Sequence, residues 1–254
     1  MARVLGIYAH PDDESFGFAG TAMKLIDRGA EVGLVTLTRG DKGRWYGRRP
    51  LYSWDPAALA AERAKEWRGA VRTMGLQRSW LLRWPDQGVA TAPVERITSQ
   101  LVRVIREFRP DAVITFGPEG AGSEHDDHAA TSRHAARAFR WAADASVRTR
   151  AGRTRAGSTR QQRPHAPRWL LYTTAPEGAA GVRGRRPSGF LSPTHVVDIS
   201  GYVERKIATF ENHRTQFKDR PFFLRYMRSR GEREYFHLAV DTRGRPARGL
   251  PFLR

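Results

Sequence analysis

An apolar run, Val4-Leu5-Gly6-Ile7-Tyr8-Ala9, leads without a break into His10-Pro11-Asp12-Asp13-Glu14. The run has the length of a strand and is closed by a proline, so it predicts a buried strand that delivers one imidazole and three carboxylates at its C-terminal end. In open α/β sheets, ligands and catalytic groups gather at that edge. Imidazole nitrogen and carboxylate oxygen are the donors that Zn²⁺ accepts. At a turn, neighbouring side chains can converge on one point while aiming differently, so Asp12 and Asp13 can divide the work, one on the metal and one on water beside it. Taken alone, His-Pro-Asp-Asp reads equally well as a solvated turn after a strand.

A second cluster, His125-Asp126-Asp127-His128, decides for the metal. Asp111-Ala112-Val113-Ile114-Thr115-Phe116 predicts another buried strand, and the Gly-rich segment Gly117 to Gly122 follows it. An Ala-rich helix then starts near Asp127. Two parallel strands bring both clusters to one rim of the sheet. Histidines three apart at a helix start share a face. His10, Asp13 and one of these two histidines give three protein ligands, the number found at a catalytic zinc, whereas structural zinc is closed by four. The chain contains no Cys, which excludes a thiolate site.

These residues resemble the PIG-L/LmbE-like family of zinc-dependent N-acetylglucosaminyl deacetylases. Ala9 to Glu14 matches the family's A-H-P-D-D-E, and His125 to His128 matches its H-P-D-H with Asp126 in place of proline. The resemblance implies His10, Asp13 and His128 as metal ligands, Zn²⁺ or Fe²⁺ as the ion, and Asp12 as general base. It also implies that His125 stabilises the tetrahedral intermediate or protonates the departing amine, oriented by Asp127. Arg63, in an R-x-x-E helix completed by Glu66, is implied to reach substrate; Arg39, Asp86 and His213 join it as candidate substrate-binding residues, while on the residues alone Asp86 reads as a turn-former and His213 as a buried, hydrogen-bonded histidine. Arg39 lies in a turn matching T-x-G-x-x-G at Thr38, Gly40 and Gly43. His213 belongs to a pattern comprising Asp198, Ser200, Lys206, His213 and Gln216, in which Thr209 replaces the usual Ala.

Between the clusters the pattern is that of a doubly wound sheet. Helices are predicted over Ser15 to Arg28, Pro56 to Met74 and Pro93 to Phe108, with strands over Val32 to Thr38 and Trp80 to Arg83. His134, six positions beyond His128, faces elsewhere and reads as structural. Further strands are expected over Trp169 to Thr173, His195 to Ile199 and Glu234 to Val240, with a helix from Ser200 through Phe217. The fold class that follows is α/β: a Rossmann-like three-layer sandwich with a mostly parallel sheet and a smaller C-terminal lobe on the substrate side. One domain spans 1–254, interrupted by a basic, mobile insertion around 144–168.

The net charge is +18, with Lys at only five positions, so Arg supplies nearly all of the 44 basic residues. Such a field attracts anions, but the 144–168 segment lacks the interleaved aromatics that stack nucleic-acid bases, so nucleic acid is an unlikely partner. Trp45, Tyr46, Tyr52 and Trp54 in the loop from Gly43 to Asp55 offer faces to a sugar or fill a loop core. No apolar run approaches the ~20 residues of a membrane span. The N-terminus shows no signal-peptide pattern, so a cytoplasmic enzyme is expected, with homo-oligomerisation left open. The expected substrate is an N-acetylglucosaminyl glycoconjugate or a related small-molecule amide.

Overall fold

A computed structural model of the chain describes residues 1–48, 55–120, 125–149, 161–176, 191–230, 232–244 and 250–253. Tyr52, Trp54, Gly122, the centre of the basic insertion and most of the stretch from 175 to 193 lie outside them. Strands β1 (Arg3–Tyr8), β2 (Glu31–Thr38), β3 (Arg78–Trp84), β4 (Ala112–Phe116), β5 (Trp169–Thr173), β6 (His195–Asp198) and β7 (Arg233–Asp241) form one sheet, ordered β3-β2-β1-β4-β5-β7-β6. The pairs from β3 to β5 are parallel, and β7 runs antiparallel to both its neighbours. The winding reverses between β1 and β4, where the crevice of a doubly wound sheet opens.

Strands covered on both faces must be apolar throughout, and β1, β2 and β4 are buried almost end to end. One face is covered by α2 (Ala19–Asp27), α3 (Pro56–Met74), α6 (Val203–Glu211) and α7 (Arg220–Ser229); α4 (Val94–Phe108) and α5 (Asp126–Ala143) cover the other. The C-terminal helices thus continue the layer of α2 and α3. Within it, Phe210 stacks on Phe223 with ring centroids 4.3 Å apart, and Phe16 meets Phe223 edge-on.

Two departures from the sequence expectation bear on the site. The helix foreseen over Ser15 to Arg28 is split into α1 (Asp13–Gly17) and α2 at Phe18, whose φ is −138°. Phe18 turns its ring beneath Gly6 of β1, where a Cβ would lie 2.7 Å from it. The backbone groups freed by the break are taken by distant side chains. Lys206 donates to the Phe16 carbonyl at 2.7 Å, and Glu234 accepts from the Gly20 and Thr21 N–H groups at 3.1 and 2.8 Å. A carboxylate at a helix N-terminus is favoured by the orphan N–H groups there. Likewise the helix expected from Ser200 through Phe217 ends at Glu211, and a short 3₁₀ stretch, Arg214–Asp219, leads into α7.

Candidate metal centre

The site lies at the C-terminal ends of β1 and β4. Thr115 of β4 donates to the Ile7 carbonyl at 2.8 Å, and Thr38 N–H donates to Ala9 O at 2.9 Å, so the residues that follow start from a fixed platform. Beyond β4, α5 is seated by Ser132, whose hydroxyl bonds Phe116 O at 2.8 Å. Its far end is tied by buried Arg106, which donates to the carbonyls of Trp141, Ala142, Asp144 and Val147. A cation belongs at a helix C-terminus, where the last carbonyls lack partners.

Three ligand atoms meet there. His10 Nδ1 lies 3.2 Å from His128 Nε2; Asp13 Oδ1 lies 3.2 Å from His128 Nε2, and Asp13 Oδ2 lies 3.4 Å from His10 Nδ1. Two ligands of a tetrahedral ion with bonds near 2.1 Å stand ~3.4 Å apart, so the spacing fits a cation held by the three. The far nitrogens fix the tautomers. His128 Nδ1 faces Gly120 O at 3.3 Å, while His10 Nε2 faces Asp86 Oδ1 at 3.1 Å and Asp127 Oδ2 at 3.3 Å. A proton on each far nitrogen leaves a lone pair toward the common point, and the carboxylates behind His10 raise its basicity. Burial opposes the His10 cation, yet Asp127, Asp13 and Asp86 outweigh it and hold its pKa well above the usual value. For Asp13 burial is likewise outweighed, by His128 and His10, and its pKa is driven well down.

Asp12 completes the turn with φ 110°, a backbone state that non-glycine residues seldom adopt. Its Oδ2 lies 3.1 Å from Arg63 of α3. Burial pushes the Asp12 pKa up to about 7, with Arg63 opposing and Asp13 adding to the rise. His125 is the most open histidine of the group, its side chain 35 % exposed. Burial, with His10 and His128 nearby, lowers its pKa, so its neutral form prevails near neutral pH. The Asp127 N–H donates to His125 Nδ1 at 3.3 Å, which puts the proton of the neutral ring on Nε2.

Several expected roles change once the geometry is known. The Asp127 carboxylate, foreseen as orienting His125, accepts from His10 and from the N–H groups of Gln87, Val89 and Ala90. The carboxylate holds the His10 ring, and Asp127 meets His125 through its backbone N–H. Asp86, foreseen at the substrate, is 3 % exposed and stands between His10 and His125, its Oδ1 3.7 Å from His125 Nε2. Arg63 is 3 % exposed and committed to Asp12 and the carbonyls of Pro11 and Gly40, so it holds the Asp12 turn. Its plane fills the space beside Gly40 and Gly43, where a Cβ would lie 2.0 and 2.6 Å from the guanidinium. This gives the T-x-G-x-x-G turn a steric reason for its glycines. Glu66, three residues on, accepts from Thr215 N–H and hydroxyl, both at 2.7 Å, joining α3 to the C-terminal turn. His213, a substrate candidate by resemblance, has the buried, hydrogen-bonded place that its own sequence context suggests, with Nε2 2.8 Å from Glu14 Oε1. Arg39 alone among the four stays at the rim, partly exposed, its Nε without a partner among the described residues. Glu14 was quoted in the motif without a role, although three consecutive acids in one turn cannot all face solvent when the strand before them is buried.

Comparison with known proteins matches residues 5–139 to the PIG-L family, described as GlcNAc-PI de-N-acetylase. The chain is also 32 % identical to 1D-myo-inositol 2-acetamido-2-deoxy-alpha-D-glucopyranoside deacetylase of Kineococcus radiotolerans, over 84 % of this chain and 68 % of that one. The chain belongs to the PIG-L family. Among solved structures, N,N'-diacetylchitobiose deacetylase of Pyrococcus horikoshii superposes with TM-score 0.69 at 23 % identity, covering 94 % of this chain and 84 % of that one. GalB, the 4-carboxy-2-hydroxymuconate hydratase of Pseudomonas putida KT2440, superposes with TM-score 0.68 at 16 % identity, covering 98 % and 100 %. Both share the fold of this PIG-L chain, and their names differ in chemistry, so function must be argued from the site. No helix among the described residues is long and apolar enough to cross a membrane.

Proposed function

We propose that this PIG-L chain is a zinc-dependent hydrolase that removes the acetyl group from an N-acetylglucosamine-type amide on a glycoconjugate. The observation that carries the reading is the triangle of His10 Nδ1, Asp13 and His128 Nε2 at metal-ligand spacing, with the carboxylate of Asp12 on the same turn. Two imidazoles and one carboxylate suit Zn²⁺, with Fe²⁺ the alternative. Bound there, the ion supplies Lewis-acid chemistry, polarising the acetyl carbonyl and acidifying water. Asp12 takes the proton of the attacking water, its pKa raised to about 7 by burial, with Arg63 limiting the rise. His125 donates an Nε2–H hydrogen bond to the developing oxyanion, and the proton that Asp12 has taken goes on to the departing amine. Asp86 and Asp127 hold the His10 ring, and Asp86 faces His125 Nε2.

Arg39 and the loop bearing Trp45 and Tyr46 form the substrate-facing rim, where an acidic or bulky sugar conjugate finds a cation and the exposed ring of Tyr46. Tyr46 is 52 % exposed, and Arg48 stacks over Trp45 at 3.8 Å. The name of the Kineococcus relative suggests N-acetylglucosaminyl-inositol as the first compound to test. Acetate release is measured from a panel of N-acetylglucosaminides, with and without chelator, beside metal content. Asp12→Ala is expected to retain one metal per chain and lose roughly 10²–10⁴ in rate; a near-normal rate would refute the base assignment. Metal-dependent cleavage of other amides or esters, with none of the panel, would leave the hydrolase and remove the sugar.

A further inference from the structure

We infer that Glu14, braced by His213, is a positioning residue that holds the backbone of Asp12 in its left-handed turn. The inference rests on the reading of Asp12 as general base. Held at φ 110°, a non-glycine residue is strained and persists only where its surroundings over-determine it. Glu14 supplies that constraint. Its Oε2 accepts from the Asp12 N–H at 3.1 Å, while its Oε1 accepts from Ser15 Oγ at 2.9 Å and faces His213 Nε2 at 2.8 Å. The carbonyl of Asp12 is taken by Ser15 N–H at 3.0 Å, so both peptide groups of the strained residue are tied to the same short segment.

A carboxylate with no exposed surface is costly unless its oxygens are all bonded. Glu14 meets that condition through a residue 199 positions away. His213 sits in the turn between α6 and α7, fixed by its N–H to Phe210 O and by Gln216 N–H to its own carbonyl, both 2.9 Å. Favour for an acid in the first turn of α1 accounts for a Glu at this position, but not for a buried imidazole aimed at it. Neither side chain reaches solvent, so neither meets substrate; both act through Asp12.

Glu14→Gln keeps the shape and removes one of the two acceptor oxygens. Assayed on N-acetylglucosamine and N-acetylglucosaminyl-inositol, it is expected to lower kcat by roughly 10–100-fold with KM and metal content unchanged, since a misplaced base slows chemistry without weakening binding. In an Asp12→Ala background it should add nothing to the residual loss, because a residue acting through Asp12 has no target there. His213→Phe should show the same signature, with partial rescue in His213→Gln. A crystal structure of Glu14→Gln, or of His213→Phe if the first is insoluble, should show Asp12 relaxed to negative φ. An Asp12 φ that stays near 110°, or an equal loss with and without Asp12, would overturn the inference. An active Asp12→Ala sinks the base reading alone, leaving the φ measurement to judge the brace.

Discussion

The cluster after β1 and the cluster at the start of α5 are both built from histidine and acid, one His, two Asp and one Glu in the first and two His and two Asp in the second, yet they are anchored differently. His10, Asp13 and Glu14 are 6, 8 and 0 % exposed, clamped by Arg63 from α3, by His213 from the C-terminal layer and by Asp86 and Asp127 from behind. His125 and His128 have side chains 35 and 13 % exposed; both start from one helix turn, and His128 faces Gly120 O and stacks on Phe116 with ring centroids 4.3 Å apart. The clamped side suits groups that must not move, a ligand and a base whose aim sets the rate. The open side suits a group that must meet substrates of varied bulk and follow the charge that develops on them.

Breaking the clamped side should have the larger effect. His10→Ala removes a ligand together with the partner of two buried carboxylates, and is expected to lose the metal and at least ~10³ in turnover, given a Lewis-acid contribution of several kcal/mol. Retention of stoichiometric metal would show that His128 and Asp13 hold it without the clamped imidazole. On the open side, His125→Ala is expected to keep its metal and fall by roughly 10²–10³ in kcat. Equal metal loss in the two variants would erase the distinction between the sides.

A smaller effect sharpens the division further. Asp127→Asn puts an amide where three backbone N–H groups and His10 look for an acceptor, so metal affinity is expected to drop ~10–100-fold. If the change instead shifts the acid limb of kcat with metal affinity intact, Asp127 serves His125 after all. Titration with a competing chelator, read beside the pH profile, separates the two.

The sequence exposed the strands and both clusters because buried parallel strands are written as unbroken apolar runs, and ligands follow them directly in the chain. It did not expose partners supplied from elsewhere. Arg63 and His213 stood out as chemistry-bearing residues, and their placement at Asp12 and Glu14 depends on how α3 and the His213 turn pack, which local periodicity does not encode. The break at Phe18 was hidden for the same reason: Lys206 and Glu234, some 190 and more positions away, replace the helical hydrogen bonds. Asp86 looked like an ordinary turn residue because only the folded sheet sets it against His10.

The last and mildest test uses pH on protein stripped of metal. Burial raises the folded-state pKa of Asp12 to about 7, so between pH ~4 and 7 the folded chain keeps a proton that the unfolded chain has released. Stability from this group therefore falls as pH rises through that window. His10 and His213, both raised in the folded state by carboxylates that outweigh burial, act in the same direction, their contribution being present below ~6.5 and lost above. Asp13, lowered, adds nothing between pH 5 and 8 because it is ionised in both states there. Metal competes with those same protons and binds better as pH rises. The drop in Tm on adding chelator should thus be larger at pH 8 than at pH 5.5, by about 5 °C for a difference of ~2 kcal/mol in a chain of this size. In Asp12→Asn the clamped turn carries no titrating base, and the pH dependence should shrink to the part supplied by the histidines. An unchanged slope in that variant would mean that the burial of Asp12 does not cost the metal-free fold what its geometry implies.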